Sequence, residues 1–114
     1  IIDSSVTVFE KDTKIGGIWR YEEPSNEKKK HRPMYRGLRT NLPKELMAYR
    51  EFPWGNGNDF EEASYVTHEQ VYDYMKRYKS KYDLERFIKY GSEVTGLNLV
   101  KDTATPEGEG EEEE

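Results

Sequence analysis

Thr67-His68-Glu69-Gln70 has the spacing of a capping box and opens the clearest helical periodicity in this sequence. In such a box the Thr hydroxyl and the Gln side chain satisfy backbone amides at the helix start, so that start is set locally. Val71, Tyr74, Met75, Tyr78 and Tyr82 then recur on one face, which predicts an amphipathic helix. Its aromatic stripe must either pack on the body of the domain, the expected outcome, or form a groove for a partner helix. Apolar material for that packing is scarce, because 33% of the 114 residues are hydrophobic and 36% are charged. The chain can form one small domain at most, and a self-sufficient two-domain enzyme is excluded.

The formal charge is −5, but six glutamates (Glu107, Glu109, Glu111, Glu112, Glu113 and Glu114) fall in the last eight residues. Without them, 18 basic residues face 17 acidic ones, and a near-neutral body is not the footprint of a nucleic-acid binder. From Lys101 onward Thr, Pro, Gly and Glu dominate, and such a segment cannot offset its ordering entropy. Residues 101–114 are therefore expected to be a disordered acidic tail, a solvating appendage or a docking segment for a basic partner. Cysteine is absent, which removes disulfides, thiolate nucleophiles and Cys-ligated metals and fits an intracellular reducing compartment. No run approaches the roughly 18 apolar residues of a membrane span, and nothing resembles a signal peptide.

The β-branched and aromatic run Val6-Thr7-Val8-Phe9 reads as a short buried strand, central if it has neighbours, that leaves through Glu10-Lys11-Asp12 towards Gly16-Gly17. Glu22 to Arg39 carries Lys28, Lys29, Lys30, Arg32, Arg36 and Arg39 and reads as an exposed, solvated loop. In Thr40-Asn41-Leu42-Pro43-Lys44-Glu45-Leu46-Met47 a capping side chain precedes Pro, the pattern of a short helix start. Tyr49 to Asp59 reads as loop, and Ile88-Lys89-Tyr90 with Glu93-Val94-Thr95 suggests a strand or hairpin arm around Gly91.

Three elements carry candidate chemistry. Glu10 ends a strand with glycines soon after it, the placement a dinucleotide fold uses to bind adenosine ribose hydroxyls; the alternative is a solvated strand end. The glycine-rich phosphate turn belongs roughly 20 residues before such an acid, and nine residues precede Glu10 here. Gly16-Gly17-Ile18-Trp19 allows close backbone approach to a ligand beside a flat indole, or equally a tight turn with a core Trp. Asn41 either caps the following helix, which is favoured locally, or turns its amide towards a ligand. His31 and His68 are the only histidines and lack a metal-ligand or triad pattern. The carboxylate pairs Glu22-Glu23 and Glu61-Glu62 read as surface.

Together and in this order these elements resemble the flavin-containing monooxygenases. Val6 to Lys11 followed by Ile15-Gly16-Gly17-Ile18-Trp19-Arg20-Tyr21 is similar to the family's second strand and its Gly-Gly-Leu-Trp segment. Met34 to Met47 is similar to its Tyr-x-x-Leu-x-Thr-Asn-x-x-Lys-Glu stretch, and Thr67 to Leu84 to the helix that follows. Tyr49 to Trp54 stands where the family has an aromatic-Pro-Asp-Phe-Pro-Phe segment, and its Arg50-Glu51-Phe52-Pro53-Trp54 lacks the first Pro-Asp.

The resemblance implies an α/β fold: a partial Rossmann-like FAD-binding domain over residues 1–100, followed by the acidic tail at 101–114. It implies FAD and NADPH as cofactors, with O2 and a nucleophilic amine or sulfide as substrates, and oxygen transfer through a flavin C4a-hydroperoxide. Glu10 would hold the FAD ribose; Gly17, Ile18 and Trp19 would line the flavin; Asn41 and Leu42 would contact its ring side. Thr40 and Asn41 would meet the nicotinamide, and Asn41, as the catalytic residue, would help hold the oxygen adduct. Neither glycine-rich phosphate turn of the family is present, so the chain is expected to bind FAD poorly or not at all, because the phosphate cradle at a helix N-terminus is missing, and to be a piece of such an enzyme that is inactive alone. The alternative is a truncated, non-catalytic interaction module derived from the same family. Location in the cytoplasm or at the endoplasmic reticulum would follow from the family.

Overall fold

The computed structural model describes residues 5–23, 33–55 and 63–101. Lys28, Lys29, Lys30, Arg32, His31, the Glu61-Glu62 pair and the acidic run after Lys101 lie outside the described residues. One helix dominates: α1, His68–Lys81. Its capping box is complete, with the Thr67 hydroxyl accepting from the Gln70 N–H and the Gln70 side chain accepting from the Thr67 N–H at 2.9 Å. Asp83, in the left-handed region at φ 51°, stops the helix, and a short 3-10 turn, Leu84–Phe87, leads into a strand.

That strand, β2 (Ile88–Lys89), runs parallel to β1 (Val8–Phe9), pairing Val8 with Ile88 and Phe9 with Lys89. The parallel pair with an intervening helix is the α/β arrangement expected. The strand itself departs from expectation: it is two residues long, and Val8 and Phe9 are 47% and 54% exposed. With a single partner on one edge and no described element covering its faces, the run is neither buried nor central. Glu93-Val94-Thr95 forms no strand. Beyond Gly91, in the left-handed region at φ 61°, the chain makes hydrogen bonds with the Glu10–Asp12 corner instead, Gly91 N–H to Asp12 O and Ser92 N–H to Glu10 O.

The aromatic stripe of α1 packs on its own chain. Residues 49–54 form a turn closed by Phe52 N–H to Tyr49 O, and Tyr74, buried in α1, reaches into it. Its hydroxyl donates to Phe52 O at 2.6 Å and accepts from Tyr49 N–H at 2.9 Å. Trp54 stacks on the Tyr74 ring at 4.3 Å between centroids, and Tyr49 stacks on Tyr78 at 4.5 Å. The Tyr78 and Tyr82 hydroxyls both hold Glu51, through its carboxylate and its carbonyl respectively. The Tyr74 and Tyr82 phenols satisfy backbone groups of the loop and Tyr78 a carboxylate, bonds that phenylalanine on this face could not make.

Two outcomes follow. Thr67→Ala removes the acceptor at the start of α1 and is expected to lower stability by about 1 kcal/mol in chemical denaturation. Burial pushes the Tyr74 phenol above its ordinary value, against a smaller opposing effect of the Tyr49 N–H. Because the folded-state value is the higher one, the stabilisation is complete below the unfolded value of about 10 and is lost as pH rises through the folded one. Tyr74→Phe is therefore expected to cost about 1–3 kcal/mol at pH 7 and to flatten the alkaline loss of stability, read by urea denaturation across neutral to alkaline pH.

Candidate cofactor-binding site

Glu10 stands at the carboxyl end of β1, and its Oε1 accepts from the Asp12 N–H at 2.8 Å, which holds the carboxylate at the strand end. Asp12 in turn accepts from the Arg20 guanidinium at 2.6 Å, and Arg20, buried and also paired with Glu22 at 2.9 Å, directly follows Trp19. One charged relay thus connects the strand-end acid to the glycine turn. Desolvating a guanidinium is costly, and two carboxylates around Arg20 offset that cost.

The turn itself, Gly17–Trp19, is a single 3-10 loop closed by Trp19 N–H to Gly16 O. Gly16 is buried at φ 118°, and a Cβ there would lie 2.6 Å from the Tyr72 ring. Gly17 is also left-handed at φ 52°, but a Cβ there would meet nothing within 4 Å. The first glycine is required by packing and conformation, the second by conformation alone, and the second leaves open space beside the backbone. Ile18 presents 55% of its surface beside it and Trp19 is half-buried.

Thr40, Asn41 and Leu42 sit on a loop tied to the start of α1. Thr40 N–H bonds to Val66 O and His68 N–H to Leu38 O, and Arg39 faces Thr67 in an antiparallel bridge. The Thr40 hydroxyl is buried and donates to Leu42 O at 2.8 Å, so Thr40 shapes the loop from inside. Asn41 does not cap a helix. The short helix that follows is one 3-10 turn, Lys44–Leu46, whose cap position is Pro43 and carries no side-chain cap bond. Pro43 lies outside the helix and not in its first turn, which puts the cap position two residues past Asn41 and leaves that amide exposed. Leu42 is 50% exposed.

His68, read from sequence only as an unpaired histidine, is the junction of the two loops. Its ring is 1% exposed, Nε2 lies 2.9 Å from Arg36 O, and Tyr21, two residues beyond Trp19, packs on it at 5.2 Å between centroids. The glycine turn and the Asn41 loop are thereby both anchored to the first residues of α1. Its partners, Arg36 and Tyr21, stand at spacings that carry no sequence signal for such a role.

The family profile described as FMO-like, flavin-binding monooxygenase-like, matches residues 3–111. The chain belongs to this family. It is similar to flavin-containing monooxygenase FMO GS-OX5 of Arabidopsis thaliana, 34% identical over 103 residues, which cover 79% of this chain and 22% of that protein. Dimethylaniline monooxygenase 4 (N-oxide-forming) of Homo sapiens is 28% identical over 100 residues, 88% of this chain and 17% of that one. Among solved structures, S-allyl-L-cysteine S-oxygenase from Allium sativum superposes with a TM-score of 0.67 at 29% identity, over 82% of this chain and 24% of that one. The chain spans about a fifth of the length of the curated relatives it matches. The α/β arrangement accordingly corresponds to part of a flavin monooxygenase fold.

The two glycines give a graded test. Gly17→Ala pays the left-handed penalty of about 1–2 kcal/mol, while Gly16→Ala adds displacement of Tyr72 and is expected to be the more destabilising. Thermal denaturation ranks the pair, and a Trp19 emission shift should accompany Gly16→Ala alone.

Proposed function

We propose that this chain is part of an NADPH- and FAD-dependent monooxygenase acting on soft nucleophiles, an amine nitrogen or a sulfide sulfur. The observation that carries this reading is the relay from Glu10 through Asp12 and Arg20 to the Gly17–Trp19 turn, which belongs to a family-matched segment. The residues fit a flavin dinucleotide. A fixed carboxylate at the carboxyl end of a parallel strand suits ribose hydroxyls, and the space beside Gly17 admits a ligand edge without a side-chain clash. Glu10 would hold the ribose; Gly17, Ile18 and Trp19 would border the ring, with the exposed Ile18 and Leu42 excluding water from it. Residues 1–100 would form this partial domain, with 101–114 as an appended acidic tail.

When bound, the flavin supplies the oxygen-activating chemistry. The chain's own contribution is positioning. Asn41, uncapped and held on a loop fixed by Thr40, offers both an amide donor and an acceptor, and would orient the nicotinamide and the oxygen-bearing face of the ring without exchanging a proton. The homologues' names divide between S-oxygenase and N-oxide-forming activities, which supports the substrate class in general terms.

FAD titration of the purified chain, followed by flavin fluorescence quenching, tests the reading. Weak quenching is expected, since the sequence lacks the phosphate-cradling turn, and Trp19→Ala and Asn41→Ala should each lower the affinity further, by about tenfold or more. Binding that survives both substitutions undiminished would place the flavin elsewhere, and no binding would remove the cofactor role from this chain on its own.

A further inference from the structure

A concavity of about 400 Å³ lies beside the glycine turn, and none of its lining residues belongs to the cofactor set above. Thr13, Lys14, Tyr72, Lys76, Lys79 and Tyr90 border it, with Ile15 adding an apolar edge. Three lysines face a single carboxylate, Glu85, and that carboxylate is already engaged: Lys79 forms an ion pair with it, and the Tyr90 hydroxyl donates to it at 3.0 Å. What remains at the rim is cationic. Lys76 Nζ rides 4.8 Å above the Tyr72 ring, so the ammonium and an aromatic face are presented side by side. The other lysine, Lys14, projects exposed from the loop between β1 and Gly16.

The geometry points to a binding site for a small aromatic phosphate: the oxyanion between Lys14 and Lys76 with the Thr13 hydroxyl, and the ring against Tyr72 and Tyr90. Ammonium groups act as strong point-charge partners for phosphate oxygens, and the two phenols and Ile15 give the apolar bed that a bare phosphate would not use. The volume falls within the range of small-ligand sites. Tyr72 forms a wall of the cavity and lies beside Gly16, where an added Cβ would stand 2.6 Å from its ring.

The probe is phenyl phosphate, which has no ribose hydroxyls for Glu10, titrated by calorimetry into the full chain with inorganic phosphate in parallel. Saturable binding is expected, tighter for phenyl phosphate than for inorganic phosphate and weakening with added salt as exposed charges are screened. The double substitution Lys14→Gln/Lys76→Gln, at exposed positions and checked for unchanged helical circular dichroism, is expected to weaken it about tenfold or more. Lys81→Gln, at an exposed position of α1 outside the cavity lining, should leave it unchanged. No saturable binding, equal affinity for the two anions, a loss below about threefold in the double variant, or a loss in Lys81→Gln would each overturn the assignment.

Discussion

The first turn of α1 is where the structure is tied together. A helix start leaves amides unsatisfied; here a side-chain pair, Thr67 with Gln70, closes the Thr67 and Gln70 amides locally, and Leu38 O from the preceding loop accepts from His68 N–H. With that start fixed, Val66 and His68 become immobile anchors on either side of Thr67. Val66 O accepts from the Thr40 N–H, His68 N–H donates to Leu38 O, and the His68 ring meets both Arg36 O and Tyr21. Two loops far apart in sequence thus acquire a common reference frame. Neither contains enough regular structure to hold its shape unaided, since each has one 3-10 turn.

The other half of the scaffold is polar. A chain this poor in aliphatic residues buries only Met34, Val66, Val71 and Tyr74 among the described hydrophobics, and buries Arg20, Thr40, Lys44 and His68 beside them. Cohesion comes from polar groups whose bonds are made in directed pairs: phenols to loop carbonyls, a guanidinium to two carboxylates, an imidazole to a carbonyl. Directed pairs define geometry more narrowly than apolar contact does, which suits a region whose proposed task is to hold a cofactor's edge in place.

Much of this was legible in the residues. The capping box and the helical stripe predicted α1 because both are local, and the loop character of Tyr49 to Trp54 followed from its composition. The stripe's partner was not legible, because three tyrosine hydroxyls seeking loop atoms leave no periodic trace in that loop. The burial expected of Val6 to Phe9 depended on covering elements that a pattern of β-branched residues cannot reveal. Of the two roles open to Asn41, the locally favoured cap is not taken, because Pro43 occupies the cap position of the 3-10 turn. Of the site, Glu10 and the glycine turn were signalled by strand-then-glycine order. Their connection through Asp12 and Arg20, and the role of His68, needed the fold, because each bond joins residues whose spacing carries no repeat.

The pairing of β1 with β2 has a kinetic consequence. Val8 meets Ile88 eighty positions away, whereas the contacts within α1 span three or four. Loop-closure entropy is incurred before a two-residue ladder returns anything, so such a pairing belongs late in folding, after the helix and its loops have shortened the effective distance. The Glu10 corner, hydrogen-bonded through Ser92 and Gly91 to the strand's far side, assembles with that last step. The acid that would meet the ribose is therefore among the final groups to reach its place, and among the first to leave it when the sheet opens.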